Sequence, residues 1–523
     1  MKKIIFYTSS LLFLIGLTVS LSNCSKDFEE YNQDPFAIDL EDLERDYQSV
    51  GAPFTTMIRN IYVHTPAWIT QLQQNLIGDV YSGYMMPPTP FAGNSNNMNY
   101  NLVDGWNTWA WNPSYTDVLA QIDFVQQIEN VETDFPEFIA WSKVIKVAAM
   151  HRVTDMFGPI VYTQFGKVES DGSVLYDCQD VVYDAMFQDL DTGINGLTDF
   201  ADNNDTQPFA SFDEVYAGDI DKWIQLGNSL RLRLAIRVSK VDPTRAQAEA
   251  EKAINHPKGV MTMNDGNFTV KNGVDHPMNT INNAWNDIRM GAPMESILVG
   301  YEDPRLASFF RPSEIVSGEY KGIRQGIPIA DKSNYVVFSA LQDLGDVQLM
   351  VASEVYFLRA EGALRGWSMG GSAQDLYEDG IRMSFDQYGL GGVDDYIADN
   401  TRTAIDYVDA FNNDNSATAL SNVTIAWDGA ADFETSLERI ITQKWIGMFP
   451  DGQEAWSEYR RTGYPVLFPV VINNSGGEID TDAQIKRIKF INSEYIQNSR
   501  GVQEGVDCLG GDTGGIPLWW DVD

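Results

Sequence analysis

Cysteine is scarce in this chain, whose 523 residues hold three, Cys24, Cys178 and Cys508. That excludes a disulfide-framed scaffold and leaves one Cys178–Cys508 bridge open as an alternative to free thiols. Histidine is almost as scarce. His64, His151, His256 and His276 are not spaced as zinc ligands on one helix, so neither a metal site nor a catalytic cofactor is expected. Positive charge is short as well: 36 Lys and Arg against 74 Asp and Glu give a formal net charge of −38. So acidic a chain lacks the basic patch that phosphates require, which makes nucleic acid a poor partner. An anionic membrane surface would also repel it, so attachment to a membrane needs an anchor.

Long apolar runs are missing except at the start. Met1, Lys2 and Lys3 precede residues 4–19, an apolar stretch broken only by small polar residues and a glycine. It is shorter than the ~20 residues of a bilayer span and reads as a secretory leader. The stretch ends in Leu21, Ser22, Asn23 and Cys24, a pattern that resembles a lipobox, although Asn23 departs from the small residue usual before the cysteine. The expected division is a signal peptide over 1–23, a tether lipidated at Cys24 over 24–46, and one domain over 47–523. Removing the leader takes away Lys2 and Lys3 but no acid, so the mature chain is still more acidic. One acyl chain binds a membrane at only about 10⁴ M⁻¹, so a durable anchor rests on several chains.

Within the domain, apolar residues recur at helical spacing. Trp141, Val144, Ile145, Ala148 and Met156 share one face, and Val147 and Met150 make the opposite face apolar too, so this helix is expected to be sandwiched. Leu349, Ala352, Tyr356 and Ala360 repeat the spacing, followed by Leu376, Gly380, Ile381 and Phe385. The pattern predicts helix pairs at 137–158 with 178–198, 219–240 with 243–256, 348–366 with 373–388, and 434–449 with 453–460. The fold class is therefore mainly α: about four tetratricopeptide-like hairpins, a loop-rich cap and few short strands. The repeats fall near 137–256, 348–388 and 434–460. The insertions 50–135, 257–347 and 389–432 carry the turn residues, and 257–275 is expected to form a short hairpin or two.

Several blocks resemble the SusD/RagB family of nutrient-binding lipoproteins, in the branch called SusD-like family 2. They include Asp155, Met156, Phe157, Gly158 and Pro159; Gly227, Asn228, Ser229, Leu230 and Arg231; Asp303, Pro304 and Arg305; Ala360, Glu361 and Gly362; Lys444 and Trp445; Trp456, Tyr459, Arg460 and Arg461; and Trp519 with Trp520 near the end. The blocks keep the family's order over nearly the whole mature chain. The resemblance implies a helical scaffold sitting as a lid on a SusC-like TonB-dependent transporter barrel. It also implies a lipid-anchored outer-membrane location, and Ser25, Lys26, Asp27, Phe28, Glu29 and Glu30 after the cysteine resemble the acidic tract that sends lipoproteins to the cell exterior. Arg231, Arg233 and Arg237 alternate with leucines on one predicted helix, and in so acidic a chain they are expected to pair with carboxylates between repeats. Lys444, Trp445, Trp456, Arg460 and Arg461 are read as core.

Candidate ligand-binding residues lie in the insertions, since loops on a rigid scaffold commonly carry binding sites. Trp106, Trp109 and Trp111 follow an Asn-rich run and lie near Trp68, Tyr81 and Tyr84; Gln73, Gln74, Asn75 and Asp79 are close in sequence. A sugar's C–H face lies on an aromatic ring while its hydroxyls seek amides and carboxylates, and both kinds are present here. Trp285, among Asn282, Asn283 and Asn286, is a second candidate, with Tyr301 and Tyr320 as companion candidates. The favoured function is non-catalytic capture of an oligosaccharide; peptide capture and, less favoured, a two-carboxylate surface glycosidase are the alternatives. Gly366, Ser368 and Gly370 match a nucleophile-elbow pattern but link two predicted helices, which is the wrong setting. Asp202, Asn203, Asn204 and Asp205 lack EF-hand spacing and read as a solvated loop.

Overall fold

A computed structural model describes residues 46–271 and 273–522; the leader, Cys24 and nearly all of the tether lie outside the described residues. The chain divides into two units, Met1–Ala52 and Pro53–Asp523. The first is described only over 46–52, where a helix, Gln48–Ile61, begins; the helical scaffold and the candidate site belong to the second.

Eight helices form the scaffold: α1 Pro136–Phe157, α2 Gln179–Asn203, α3 Ile220–Arg237, α4 Pro243–Ile254, α5 Ala352–Leu364, α6 Ala373–Gln387, α7 Phe433–Gly447 and α8 Gly452–Thr462. Local chemistry sets their starts. Asp219, Asp242, Ser372, Asp432 and Asp451 accept from the backbone N–H three residues on, capping α3, α4, α6, α7 and α8. Pro136 and Pro243 open α1 and α4, where no hydrogen bond is lost. Gly463, in the left-handed region at φ 79°, closes α8.

Helices α1 with α2, α3 with α4 and α5 with α6 pack as hairpins. As its two-sided pattern requires, α1 is buried almost all round. Trp141 lies between the parallel rings of Phe54 and Phe209, at 4.3 and 4.2 Å. Burying such a ring contributes about 3 kcal/mol. Close approach is built in by glycine: a Cβ on Gly380 of α6 would come 2.8 Å from the Phe357 ring of α5.

The last pair differs from the other three. Helix α7 packs on α5 and α6, whereas α8 packs chiefly on the segment Gln71–Asp79, a wide π-helical turn, and on α1. Backbones meet there: a Cβ on Gly452 would lie 2.5 Å from Asp79 Cα, and one on Gly78 would lie 2.6 Å from Gln453 N. The insertion 50–135 is thus more helical than its turn residues suggest, because Gln71–Asp79 and Asp104–Pro113 find a helical surface to pack on. Two small antiparallel ladders complete the unit: β1 Met85–Met86 with β3 Arg289–Met290, and β2 Phe268–Val270 with β4 Val347–Met350. Among the described residues of 257–275 no local hairpin forms. Its strand pairs instead with residues far along the chain, leading directly into α5.

A buried ion network joins the repeats. Arg233 holds Glu354 through two bonds, 2.8 and 2.6 Å, and Arg237 reaches Glu454, Glu458 and Asp155. Lys444 lies 2.9 Å from Glu458, and Arg461 bridges Glu458 and Glu361. All these side chains are buried. Burial alone would raise Glu454, but Arg237, Arg233 and Lys444 outweigh it and hold the carboxyl down to about 2. The pairing expected for Arg233 and Arg237 is present; Arg231 bridges Asp191 of α2 and Glu249 of α4. Trp445 and Trp456 are core, as the sequence indicates. Cys178 and Cys508 form a disulfide with Cα atoms 5.6 Å apart, fastening the start of α2 to the helix Ser499–Leu509 and settling the open alternative.

Candidate functional site

The segments that enter and leave the π-helical turn carry the aromatic candidates. Trp68 stands just before Gln71–Asp79 and is 41% exposed. On the helix Asp104–Pro113, Trp106 and Trp109, three residues apart, are half-buried, while Asn107, Ala110 and Trp111 turn inward. Trp68 meets Trp109 edge to face, with centroids 4.7 Å apart and planes at 88°; Phe91 meets Trp106 in the same way at 5.8 Å and 85°. Each pair holds its rings in fixed orientation while leaving ring surface to solvent.

The other three aromatic candidates of this region are covered. Tyr81 donates to the Asn97 carbonyl at 3.0 Å and packs on Trp456. Tyr84 donates to the Trp445 carbonyl and packs between Trp445 and Phe449. Trp111 is 3% exposed, surrounded by Tyr115, Phe157, Tyr176 and Phe490. All three rings are packed inside, and for Trp111 the cause is the helical phase that exposes Trp106 and Trp109. The amides of the π-helical turn are likewise spent inside. Gln73 accepts from Val63 N at 3.0 Å, Gln74 from Arg152 at 3.0 Å, and Asn75 donates to Asp79, whose carboxyl burial pushes up to about 7.

Asparagines fix the loop between the two ring pairs. The Asn96 side chain accepts from Met98 N and that of Asn99 from Asn96 N, forming a reciprocal cap. Asn97 bonds Asn107 and Val103 N, tying the loop to the tryptophan helix, and Asn94 exchanges two hydrogen bonds with the Ile329 backbone. The polar run is therefore a rigid support.

Trp285 is half-buried, flanked by exposed Ala284 and Asn286. Asp287, beside it, gathers the surface together: it accepts from Gln71 at 3.4 Å, from Thr89, and from Lys332 at 2.5 Å, and Lys332 also donates to the Trp285 carbonyl at 2.7 Å. Thus the Trp68 segment, the Phe91 loop and the Trp285 loop meet on one carboxylate. Tyr301 does not join them, being buried with its hydroxyl on the Val423 carbonyl, and Tyr320 lines a separate cavity of about 570 Å³ with Glu295 and Lys321. Sequence reasoning missed Phe91, Asp287 and Lys332. Phe91, next to Pro90 at the edge of the Asn-rich run, was the one with a visible signal.

Among the described residues no group of three His, Cys, Asp or Glu side chains is placed to hold a metal ion, and no helix is long and apolar enough to cross a membrane.

The family model for SusD-like proteins, the SusD and RagB outer membrane lipoproteins, matches residues 30–521. No curated protein is significantly similar to the chain. Among solved structures, a chitin-binding SusD homolog from Flavobacterium johnsoniae is 49% identical, with TM-score 0.88, over 91% of this chain and 99% of that one. A SusD homolog from Bacteroides vulgatus is 36% identical, TM-score 0.87, over 92% and 99%. One from Bacteroides uniformis is 35% identical, TM-score 0.85, over 91% and 99%.

Proposed function

The chain belongs to the SusD and RagB family of outer membrane lipoproteins, and from that premise we propose that it captures an oligosaccharide at the cell surface without catalysis. In this reading it passes the glycan to a SusC-like TonB-dependent barrel and is held to the membrane through lipidated Cys24 alone. The observation that carries the reading is the pair of edge-to-face aromatic contacts, Trp68 on Trp109 and Phe91 on Trp106, at a surface braced by Asp287. Rings so fixed lose little freedom when a sugar's C–H face lies on them, which favours rigid capture. Trp285 extends the same surface. Asp287 is taken up by Gln71, Thr89 and Lys332, so it braces the surface.

The chitin-binding relative makes β-linked N-acetylglucosamine oligomers the first ligands to try. Titration calorimetry with the hexaose should show binding, and Trp109→Ala should weaken it about tenfold, or 1.4 kcal/mol. Unchanged affinity in Trp109→Ala, or binding of peptides in place of any glycan, would defeat the reading; released reducing ends would show a glycosidase. Cys24→Ala protein should be lost from the membrane fraction of expressing cells.

A further inference from the structure

A second aromatic and amide-lined cavity lies at the far end of the tryptophan helix. Its volume is about 400 Å³, within the ~300–1,000 Å³ of small-ligand sites, and Asn112, Tyr115, Phe165, Glu494 and Gln497 line it over a floor that includes Trp111. Tyr115 and half-buried Phe165 stack nearly parallel, at 25° and 6.2 Å. The Asn112 and Gln497 side chains make no hydrogen bond to another described residue and are open to a ligand, and Glu494 uses one oxygen on Tyr176 at 2.8 Å, leaving the other.

The far wall is rigid. Asn498 exchanges hydrogen bonds of 3.0 and 2.8 Å with the Val174 backbone, Gly501 lets the Val174 carbonyl approach where a Cβ would sit 2.1 Å away, and the Cys178–Cys508 disulfide fastens the helix Ser499–Leu509. The near wall is the helix that holds Trp109 and the π-helical turn Ser114–Leu119 that continues it. Trp109, Asn112 and Thr116 succeed one another at intervals of three and four, the spacing of one helical face. Tyr115 lies six positions after Trp109, about 9 Å further along the axis and turned about 120° toward the side of Trp111, on which it packs.

We infer that this cavity is a second sugar subsite and that the protein reads an extended oligosaccharide along residues 104–119, from the Trp68–Trp109 pair past Asn112 and Thr116 into the cavity backed by the Tyr115–Phe165 stack. The inference rests on the oligosaccharide reading above and adds ligand length to it. One chain engaging both subsites gains the second contact at high effective concentration, so affinity rises steeply once the ligand spans them. The cavity offers ring faces, neutral amides and a carboxylate but no lysine or arginine, which suits a neutral or N-acetylated sugar and disfavours an anionic one.

The test is calorimetry with N-acetylglucosamine disaccharide and hexaose on wild type, an Asn112→Ala/Phe165→Ala double variant, Phe165→Tyr and Trp109→Ala, with the melting temperature of each variant confirming its fold. The double variant should bind the hexaose at least tenfold more weakly and the disaccharide within twofold of wild type, and Phe165→Tyr should keep hexaose binding. Hexaose affinity unchanged in the double variant overturns the second subsite while leaving Trp109 to report on the first. If Trp109→Ala is silent for both probes, or wild type binds neither, the capture surface itself is wrong and this inference falls with it.

Discussion

Replacing Arg237 by Met tests whether the scaffold is held by its buried charges. Arg237 is fully buried on α3; its guanidinium meets Glu454 and Glu458 of α8 at 2.5 Å and Asp155 of α1 at 3.3 Å, and it lies 5.2 Å from the Trp520 ring. Methionine keeps most of the stem and removes the charge, stranding carboxylates on two other helices. Removing one partner of a buried pair costs about 3–5 kcal/mol. Melting temperature changes by about 2–4 °C per kcal/mol for 150–250 residues and by less in longer chains, so a fall of roughly 4–8 °C is expected at pH 7 by scanning calorimetry. The pH dependence gives a sharper test. Glu454 is held down to about 2 in the fold, so its contribution to stability is complete above an unfolded value of about 4.3 and is lost as pH falls toward 2. Without Arg237 the folded carboxyl rises, so the variant's deficit should shrink between pH 7 and pH 4, before wild type has lost much. The exposed Arg311–Asp343 pair at 2.7 Å is the control; Arg311→Met should cost under about 1 kcal/mol. A fall below 2 °C for Arg237→Met, or a deficit independent of pH, would refute the reasoning.

Gly452→Ala should cost about 1–3 kcal/mol, since the new Cβ would meet Asp79 backbone atoms at 2.5 and 2.7 Å and one element must shift. Gly429→Ala, with open space around it, should cost little; equal denaturation midpoints for the two would remove glycine contact as the reason that α8 packs on Gln71–Asp79. Glu295→Gln should stabilise at high pH. Burial pushes the Glu295 carboxyl up to about 7 despite the Gly322 N–H and Lys321 beside it, so the stability of its protonated form is complete below about 4.3 and lost as pH rises through 7. Glutamine mimics that neutral form, so the variant should overtake wild type by about 2–3 kcal/mol at pH 8 but not at pH 5, and parallel pH profiles would disprove the shift.

What the sequence revealed and what it hid divide by the distance over which the deciding contact acts. The hairpins of α1 with α2 and α5 with α6 were legible because apolar spacing and a capping residue such as Ser372 act within a few residues. The partner of α8 was not, since Gly452 meets Asp79 across most of the chain and no local pattern records that meeting. Gln73 and Gln74 show the same limit: a polar side chain facing Val63 N or Arg152 looks, in sequence, like one facing a ligand. The tryptophans are a different case. Trp106, Trp109 and Trp111 sit close together, and read as loop residues they are equivalent; placed on a helix, the first two share a face and the third opposes them. Gly105, Pro113 and the asparagines around them disguise a ten-residue helix as a turn, and with it the phase that sorts exposed rings from buried ones. That phase continues to Asn112 and Thr116, so the length of the proposed glycan surface follows from the periodicity that the local composition concealed.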